Sequence, residues 1–311
     1  AERKGLKEDI VMSSSEKARI KMLSTKYYNL IPTVDTPLIT RPEIIYEHAK
    51  VVDILSDIAI GQELQKPLAK SPSSSKSKLL PHPCDMKYDS LKCSMEPLKP
   101  GSQMWNLIQE YAENTSFREH FSKTYFEILQ IFKIDREGSE ARFACHNGLS
   151  NRKLLWHGTS VAAAAAIVSK GLRIMPNAGG RVGKGLYFAS TFAKSYSYLY
   201  PSVNKEAVMF LVEVPLGVEK RIHRDSPKLT KAPKGFDSVV AQGRMQGDPK
   251  GDVEMVIESN IVVVPTGKPT EVRKLMSKSW FYDSEYLVYR ESQCRLRYML
   301  KLKMHEVDDE Y

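Results

Sequence analysis

Four short segments of the sequence contain residue types that bind ligands or take part in catalysis. The first, LLWHGT at 154–159, ends an apolar stretch with His157 and Gly158. A glycine at a strand end lets a ligand approach the main chain closely and hydrogen-bond to its N–H and C=O groups. A histidine in this place is more often structural, so the segment alone indicates a candidate ligand site without identifying the ligand.

The second segment is a glycine-rich loop, AGGRVGKGLYFAS at 178–190, which leads into a strand that carries Tyr187. Two nucleotide-binding motifs can be compared with it. A P-loop needs GxxxxGK followed by Ser or Thr, whereas Ala178 stands at the first glycine position and Gly185 follows Lys184. A dinucleotide-binding fingerprint needs GxGxxG before a helix, whereas GRVGKG has the reverse spacing and precedes a strand. The loop therefore matches neither motif.

The last two segments supply a hydroxyl group, a second aromatic ring and a carboxylate. AKSYSYLY at 193–200 contains Ser195 and Tyr198, and FYDSEYLVY at 281–289 places Glu285 at the start of an apolar strand. A carboxylate at a strand edge is usually just solvated, so each segment alone has a structural explanation. Their occurrence together, in this order, indicates one functional site.

The ordered motifs WHGT, GRVGKGLYFAS, KSYSY and SEYLVY are similar to those of poly(ADP-ribose) polymerases. The segments YYNLIP at 27–32, PHPCDMKYDSLKC at 81–93 and ESQCRLRYMLKL at 291–302 extend the resemblance over nearly the whole chain. It is strongest to the DNA-break-responsive members, the third member in particular. The resemblance implies a partial, all-helical regulatory domain at 1–80. It also implies an ADP-ribosyltransferase domain at 81–311, of the α+β class with a mixed or antiparallel sheet.

In this family NAD is consumed as a substrate and no metal is used. The resemblance implies that His157 binds the adenosine ribose, that Gly158 and Ser195 hold the nicotinamide amide, and that two tyrosines stack on the ring. The full set of implied NAD-binding residues is His157, Gly158, Thr159, Arg173, Tyr187, Ser195 and Tyr198.

The implied catalytic residues are Glu285, His157 and Tyr187. Departure of nicotinamide from ribose develops an oxocarbenium-like centre, which a nearby carboxylate stabilises as in glycoside hydrolysis. Glu285 would accept a hydrogen bond from a ribose hydroxyl and polarise an incoming acceptor hydroxyl.

Two departures from the family pattern concern the length of the product. Ala163 stands where the founding member has an Asn six residues after the motif histidine. The loop from Met175 to Gly183 is shorter, and Arg181 replaces an apolar residue on the acceptor side. Both differences favour transfer of single or short ADP-ribose chains.

Further expectations follow from the resemblance: acceptor proteins as partners, DNA ends as possible acceptors, DNA-break binding through modules outside this chain, and a nuclear role in DNA repair. Two rival functions stay open. The first is a catalytically silent module that binds NAD or ADP-ribose. The second is a DNA-damage scaffold that uses its basic surface.

These segments must be positioned by a folded scaffold. Apolar residues at helical spacing after the capping sequence TRPE predict a helix over 40–64, and the Ser-, Lys- and Pro-rich stretch 66–83 predicts a linker. Helices are expected at 103–114 and 160–170. Strands are expected at 125–134, 153–157, 186–189, 208–214, 261–264, 285–289 and 295–302. Helices and strands thus alternate irregularly along the chain, which favours an α+β fold.

The composition is that of a folded protein, with 42% hydrophobic and 27% charged residues, which excludes disordered and fibrous classes. A net charge of +9 is compatible with polyanionic partners, although a merely basic surface is the simpler explanation. The four cysteines form no CxxC pair, which indicates reduced thiols. No apolar run is long enough to cross a membrane, and the start AERKGLKEDIVM lacks the apolar centre of a signal peptide, which predicts an intracellular protein without a membrane span. The sequence has no starting Met, which predicts a fragment of a longer chain.

Overall fold

The computed structural model of the protein describes residues 14–30, 82–116, 124–174 and 180–306, together with positions 39, 44, 48, 51, 55, 58 and 59. The chain divides into two compact units, Ala1–Leu55 and Ser56–Tyr311. The domain boundary predicted at residue 80 lies outside the described residues and stays a prediction.

The first unit contains helix α1, Ser14–Leu30. Its residues Tyr27 and Tyr28 hold the imidazole of His48: the tyrosine Oη atoms lie 3.0 Å from Nδ1 and 3.2 Å from Nε2. A neutral imidazole has one donor and one acceptor nitrogen, so one tyrosine accepts and the other donates. This cluster connects His48 to α1.

The helix predicted over 40–64 can be checked at a few positions. Residues 44, 48, 51, 55, 58 and 59 are helical, and most of these positions recur at intervals of three or four, as residues on one helix face do. The predicted capping residues Thr40 and Pro42 lie outside the described residues. So does the predicted linker up to residue 81, while Pro83 already begins a helix.

The second unit is built on strands in two sheets. The strands are β1 Cys93–Pro97, β2 Thr124–Arg136, β3 Arg152–Gly158, β4 Leu186–Ala189, β5 Glu206–Pro215, β6 Glu219–Ile222, β7 Ser238–Ala241, β8 Gly243–Gly247, β9 Val253–Ile257, β10 Asn260–Val264, β11 Pro269–Glu271, β12 Phe281–Asp283, β13 Glu285–Val288 and β14 Arg295–Glu306. The main sheet has the order β1-β2-β14-β5-β3-β4-β13-β7-β6, and β10 joins β3 and β9. The small sheet has the order β11-β8-β12.

Most neighbouring strands are antiparallel, and parallel pairs occur between β10 and β3, β6 and β7, and β12 and β8. The predicted α+β class with a mixed sheet is confirmed. All seven predicted strands are present, and β1, β6–β9, β11 and β12 were not predicted. Most of the strands that were not predicted are short or partly exposed, so their sequences lack a strong apolar pattern.

Short helices cover the sheet. They are α2 Pro83–Ser90, α3 Gln103–Asn114, α4 Ser139–Phe143, α5 Val161–Lys170, α6 Phe192–Tyr196 and α7 Arg273–Met276. The predicted helices α3 and α5 are confirmed. Ser102 and Ser160 cap them, because each serine Oγ accepts a hydrogen bond from the backbone N–H three residues later, at 3.4 and 3.2 Å.

The core lies on both faces of the central strands. Successive side chains of a strand point to opposite faces, so Trp156 packs with Tyr111 of α3 on one face and Leu155 packs with Val168 of α5 on the other. The Tyr111 and Trp156 ring centroids are 4.7 Å apart, and the Tyr111 hydroxyl donates to the Leu154 carbonyl at 3.2 Å. This packing holds β3 rigidly up to the residues that end it.

A buried ionic network also fixes β3 in the sheet. Glu213 of β5 is 0% exposed and binds Arg152 of β3 at 2.6 Å and the Nε of Arg297 of β14 at 2.8 Å. Arg297 and Arg295 extend the network to Glu258, at 2.9 and 2.7 Å. A fully buried carboxylate is tolerated only when it is paired in this way, so Glu213 joins three neighbouring strands behind the candidate site.

Candidate active site

His157 lies where the pairing of two strands ends. Strand β3 meets β4 through the single pair Trp156–Ala189, and beyond it the backbone pairing stops. The His157 side chain bridges the gap, because its Nδ1 lies 3.0 Å from the Tyr187 carbonyl oxygen. A carbonyl can only accept, so Nδ1 carries the proton and Nε2 of the neutral ring is an acceptor.

The charge state of His157 suits this arrangement. Burial lowers the pKa of His157 below its usual value, and the bond to the Tyr187 carbonyl opposes that shift without reversing it. The ring is therefore neutral near pH 7. It can accept a hydrogen bond from a hydroxyl group, such as one of a ribose, at Nε2.

Gly158 is required by the close approach of α6. A Cβ atom on Gly158 would lie 2.0 Å from the carbonyl oxygen of Ser195 and 2.9 Å from its carbonyl carbon. Real Cβ atoms do not come so close to a main chain, so no other residue fits here without a shift of β3 or α6. Ser195 is buried. The structure thus brings together the two residues predicted to hold one amide group.

Tyr187 is locked from its outer side by the glycine-rich loop. Its hydroxyl donates to the Gly183 carbonyl at 2.7 Å and accepts from the Val182 N–H at 3.1 Å. Burial, and secondarily the charges of Glu285 and Tyr198, raise the pKa of Tyr187 to about 12, against the opposing effect of the Val182 bond. The phenol is therefore neutral and its ring is held in place.

The glycines of this loop are needed because there is no room for a side chain, and not because the loop binds phosphate. A Cβ on Gly180 would lie 2.2 Å from the Tyr187 hydroxyl oxygen. Gly183 has a φ of +85°, and a Cβ there would lie 2.0 Å from the Leu229 carbonyl oxygen, which accepts the Lys184 N–H at 2.8 Å. The loop is pinned between Tyr187 and Leu229, in agreement with the exclusion of a P-loop.

Glu285 begins β13, between Ala189 of β4 and Ala241 of β7. The residue is only 6% exposed. Its Oε1 lies 2.7 Å from Nζ of Lys194 in α6, and that ammonium group is 5.4 Å from the centre of the Tyr198 ring. A buried carboxylate needs a cation or hydrogen-bond donors to offset its lost hydration. Lys194 supplies that cation.

Lys194 is the functional residue that sequence reasoning missed. It stands directly before Ser195 in the motif KSYSY, and α6 and β13 are far apart in the chain. The signal that could have found it is the chemistry of Glu285 itself: a carboxylate at the start of an apolar strand is expected to be buried and therefore to need a basic partner.

The Tyr198 side chain is more exposed to solvent than that of Tyr187. It is 52% exposed, and its backbone N–H donates to the Ser195 carbonyl at 3.1 Å. Tyr198 is the smallest of the causes that raise the pKa of Tyr187. That the two tyrosines stack on both faces of a ligand ring stays a prediction, in which Tyr187 is the ring held by hydrogen bonds and Tyr198 is the exposed ring.

Two further predicted residues lie at the margins. Thr159 directly follows β3 and is half-buried, next to the Ser160 that caps α5. Arg173 is half-buried in the segment after α5. Their assignment to NAD stays a prediction. Five other predicted residues are connected through the pairing of β4 with β3 and β13 and through contacts with α6: His157, Gly158, Ser195, Tyr187 and Glu285.

A sequence model described as the poly(ADP-ribose) polymerase catalytic domain matches residues 102–304. The chain belongs to the poly(ADP-ribose) polymerase family. A second model, for the poly(ADP-ribose) polymerase regulatory domain, matches residues 4–88. The resemblance drawn from the four motifs is confirmed.

Individual relatives agree with this membership. The chain is 42% identical over 292 residues to the human protein mono-ADP-ribosyltransferase PARP3, an alignment that covers 92% of the chain and 53% of the relative. It is 38% identical over 289 residues to the chicken (Gallus gallus) protein of that name, covering 92% and 52%. It is 34% identical over 307 residues to poly [ADP-ribose] polymerase 1 of Xenopus laevis, covering 96% and 29%. The chain thus spans about half the length, or less, of these relatives.

Among the described residues of this poly(ADP-ribose) polymerase family member, His, Cys, Asp and Glu side chains form no group of three or more that could hold a metal ion. No helix within the described ranges has the length and apolar character needed to cross a membrane.

Proposed function

We propose that this chain is an NAD-dependent ADP-ribosyltransferase that transfers ADP-ribose to acceptor proteins and releases nicotinamide. The observation that carries the proposal is the buried pair of Glu285 and Lys194 beside Tyr187. A carboxylate held by one cation beside a locked aromatic ring is the arrangement that the proposed reaction needs, because a fixed negative charge can stabilise positive charge that develops on a ribose. Family membership supports the same reaction.

The proposed position of NAD follows from the donors and acceptors of the site. In this proposal Nε2 of His157 accepts a hydrogen bond from the adenosine ribose, and Thr159 and Arg173 are further contacts of NAD that the resemblance implies. Gly158 and Ser195 bind the nicotinamide amide at the point where α6 approaches β3 most closely. The nicotinamide ring lies against Tyr187, and the exposed Tyr198 closes over its other face.

The proposed reaction breaks the bond between the ribose C1 and the nicotinamide nitrogen. The bonding electron pair stays on nicotinamide, which leaves as a neutral molecule, and positive charge develops on the ribose. The Glu285 carboxylate stabilises this charge, and its negative charge is held in place by Lys194. An acceptor oxygen then forms the new bond to C1. A hydroxyl acceptor is oriented by Glu285 and releases its proton as the bond forms.

Transfer of single units or short chains is the form of the reaction that we propose. Ala163 cannot supply the amide contact of an Asn, and its backbone N–H is used in capping α5. The resemblance puts Arg181 at an acceptor-side position, and in the structure its Nε donates to Asp225 at 2.8 Å and its Nη2 donates to the Trp280 carbonyl at 3.1 Å. A fixed cation in this place changes how an acceptor chain can enter. The name of the human relative, a mono-ADP-ribosyltransferase, agrees.

We also propose a nuclear role in the response to DNA damage. The net charge of +9 favours polyanionic surroundings, and the family includes DNA-break-responsive members. Recognition of breaks would use parts of a longer protein, and DNA ends would serve as a second class of acceptor.

Incubation with NAD labelled in the adenosine part, followed by gel separation and measurement of released nicotinamide, tests the proposal. We expect a discrete labelled band or a short ladder and equimolar nicotinamide. A protein that binds NAD but releases no nicotinamide and gains no label would instead be the silent binding module. Salt-dependent DNA binding in the absence of any NAD turnover would indicate the scaffold.

A further inference from the structure

The four residues 171–174 leave the end of α5 and include Arg173, which the resemblance puts on the adenosine side of NAD. Gly171 ends α5 with a φ of +81°, a conformation that other residues rarely adopt. Leu172 and Ile174 both pack against the core that surrounds α5. The main chain is therefore anchored directly before and directly after Arg173.

The carboxylate of Glu291 holds this segment from the turn between β13 and β14. Its Oε1 accepts the Ile174 N–H at 2.7 Å, and its Oε2 accepts from Nη2 of Arg142 in α4 at 3.0 Å. Nη1 of Arg142 in turn donates to the Lys170 carbonyl at the end of α5, at 3.5 Å. Hydrogen bonds to an ionised group are roughly twice as strong as neutral ones. Glu291 and its cation thus bind the chain on both sides of Arg173.

The turn that carries Glu291 is itself fixed to the rest of the protein. Gln293 is buried, and its side-chain amide donates to the carbonyl oxygens that end β5 and precede β7, at 3.0 and 3.1 Å. Ser292 Oγ lies 2.9 Å from Nε2 of the buried His146. Buried polar groups that are satisfied in this way make a structure rigid. Glu291 is therefore presented to Ile174 from a firm support.

Glu291 also offsets positive charge beside the segment. A Cβ on Gly171 would lie 3.5 Å from Nε of Arg136 and 3.6 Å from Nη1 of Arg142, so both guanidinium groups border the chain at this point. Burial, and next the charge of Arg142, lower the pKa of Arg136. The Glu291 carboxylate reduces the repulsion between these cations, because it binds one of them.

We propose that Glu291 is a positioning residue for the adenosine half of NAD: it holds the main chain at Ile174, so that Arg173 is in place before the substrate arrives. A binding group that is already ordered avoids the cost of ordering it on association. This role rests on the proposed function, since NAD supplies the adenosine group. The nicotinamide half should not depend on Glu291, because Gly158 and Ser195 belong to other elements.

Two ligands separate the two halves of the site: ADP-ribose carries the adenosine half, and benzamide mimics nicotinamide. In isothermal titration, Glu291→Ala should bind ADP-ribose about tenfold more weakly, because a charge-assisted hydrogen bond is lost, and benzamide as before. Its KM for NAD should rise while kcat changes little. Glu291→Gln keeps an oxygen for the Ile174 N–H and should retain most of the affinity for ADP-ribose. Glu137→Ala, at an exposed glutamate, is the matched control and should bind both ligands normally.

A double-mutant cycle then tests whether Glu291 acts through Arg173. Arg173→Ala alone should weaken ADP-ribose binding, and adding Glu291→Ala should weaken it little further, because residues that share one contact are not additive. If Glu291→Ala does not fold, Arg142→Met takes its place in both experiments, with an expected loss of about threefold, since it removes the cation and leaves the bond to Ile174.

Additive effects in the cycle would show that Glu291 acts elsewhere and would overturn the proposal. So would an unchanged Kd for ADP-ribose in Glu291→Ala, or an equal loss of ADP-ribose and benzamide affinity, which would indicate a general structural role. If the unmutated protein bound both ligands but released no nicotinamide from NAD, the proposed function would fail and the positioning role would stand.

Discussion

The ammonium nitrogen of Lys194 lies 2.7 Å from the carboxylate of Glu285, and both side chains are largely shielded from water. The two residues come from α6 and β13, so the pair links the helix that carries Ser195 to the strand that carries the proposed catalytic carboxylate. Lys194 also lies 5.4 Å from the Tyr198 ring. One cation thus connects the carboxylate proposed to act on the ribose with the ring proposed to close over nicotinamide.

Replacement of Lys194 by Met should impair turnover more than substrate binding. The buried Glu285 carboxylate would lose its partner, turn away from the substrate, and stabilise the developing ribose charge less well. We expect nicotinamide release to fall about a hundredfold, as for loss of one preorganised polar group, and the free energy of unfolding to fall by about 1–3 kcal/mol. Lys194→Arg should restore part of the rate.

The matched control is Lys99→Met, which makes the same change at an exposed lysine and should leave both quantities unchanged. Normal nicotinamide release by Lys194→Met would mean that the ion pair serves packing alone.

Gly158→Ala should weaken the binding of a benzamide, which mimics nicotinamide. The new Cβ would lie 2.0 Å from the Ser195 carbonyl oxygen, so β3 and α6 must separate and the two amide contacts can no longer form together. Overpacking of this kind typically costs about 1–3 kcal/mol. Gly148→Ala, whose Cβ would meet nothing within 4 Å, is the control. Isothermal titration of both variants checks the expectation, and equal benzamide affinity in the two would remove Gly158 from the amide site.

Glu213→Gln should destabilise the sheet that supports the site. The carboxylate is fully buried and binds Arg152 and Arg297. The substitution therefore leaves the buried Arg152 guanidinium without its anion and leaves Arg297 with Glu258 alone. Breaking a buried pair typically costs about 3–5 kcal/mol. Glu137→Gln, next to Lys92 at 4.0 Å with both side chains about 70% exposed, should change the unfolding free energy little. Denaturant titration of the two variants provides the measurement, and comparable stabilities would contradict a structural role for the network.

The sequence predicted the strands that carry the site but not the contacts between them. Runs such as LLWHG and SEYLVY have a local apolar pattern, so β3 and β13 could be placed from the sequence alone. The pairing of Lys194 with Glu285, and of Gly183 with Leu229, depends on distant segments meeting. A short sequence pattern gives no information about contacts between segments that are far apart in the chain. The glycine-rich loop shows the same limit, because its glycines could be noted while their partners could not.

The proposed role of His157 predicts how substrate binding responds to pH. Burial lowers the pKa of His157 in the folded protein, so the ring stays neutral, and Nε2 stays an acceptor, below the usual histidine pKa of about 6.5. The KM for NAD should therefore be constant from pH 8 to below 6.5. A KM that rises steeply below pH 7 would contradict this role.

The same shift has a consequence for stability. Below about pH 6.5 the unfolded chain binds a proton at this position while the folded protein does not. The contribution of His157 to stability is therefore complete above that pH and is lost as pH falls towards the lowered pKa. The variant His157→Gln, which does not titrate, should show a weaker loss of unfolding free energy between pH 7 and pH 5.5.

Glu285→Gln keeps the size and hydrogen-bonding shape of the side chain but removes its negative charge. NAD binding should change little, because the proposed contacts to NAD are made by Gly158, Ser195, His157 and the two tyrosines. Stabilisation of the developing ribose charge should be lost, which typically costs roughly a hundredfold to a thousandfold in rate.

Transfer to an acceptor should suffer more than hydrolysis of NAD in this variant. An acceptor hydroxyl depends on Glu285 for orientation and polarisation, whereas water is small and abundant enough to attack without a fixed position. Benzamide affinity, nicotinamide release and labelled product should therefore be measured on one preparation. If Glu285→Gln released nicotinamide and labelled acceptors at the unmutated rate, the carboxylate paired with Lys194 would have no catalytic role, and the ion pair that supports the proposed function would be structural.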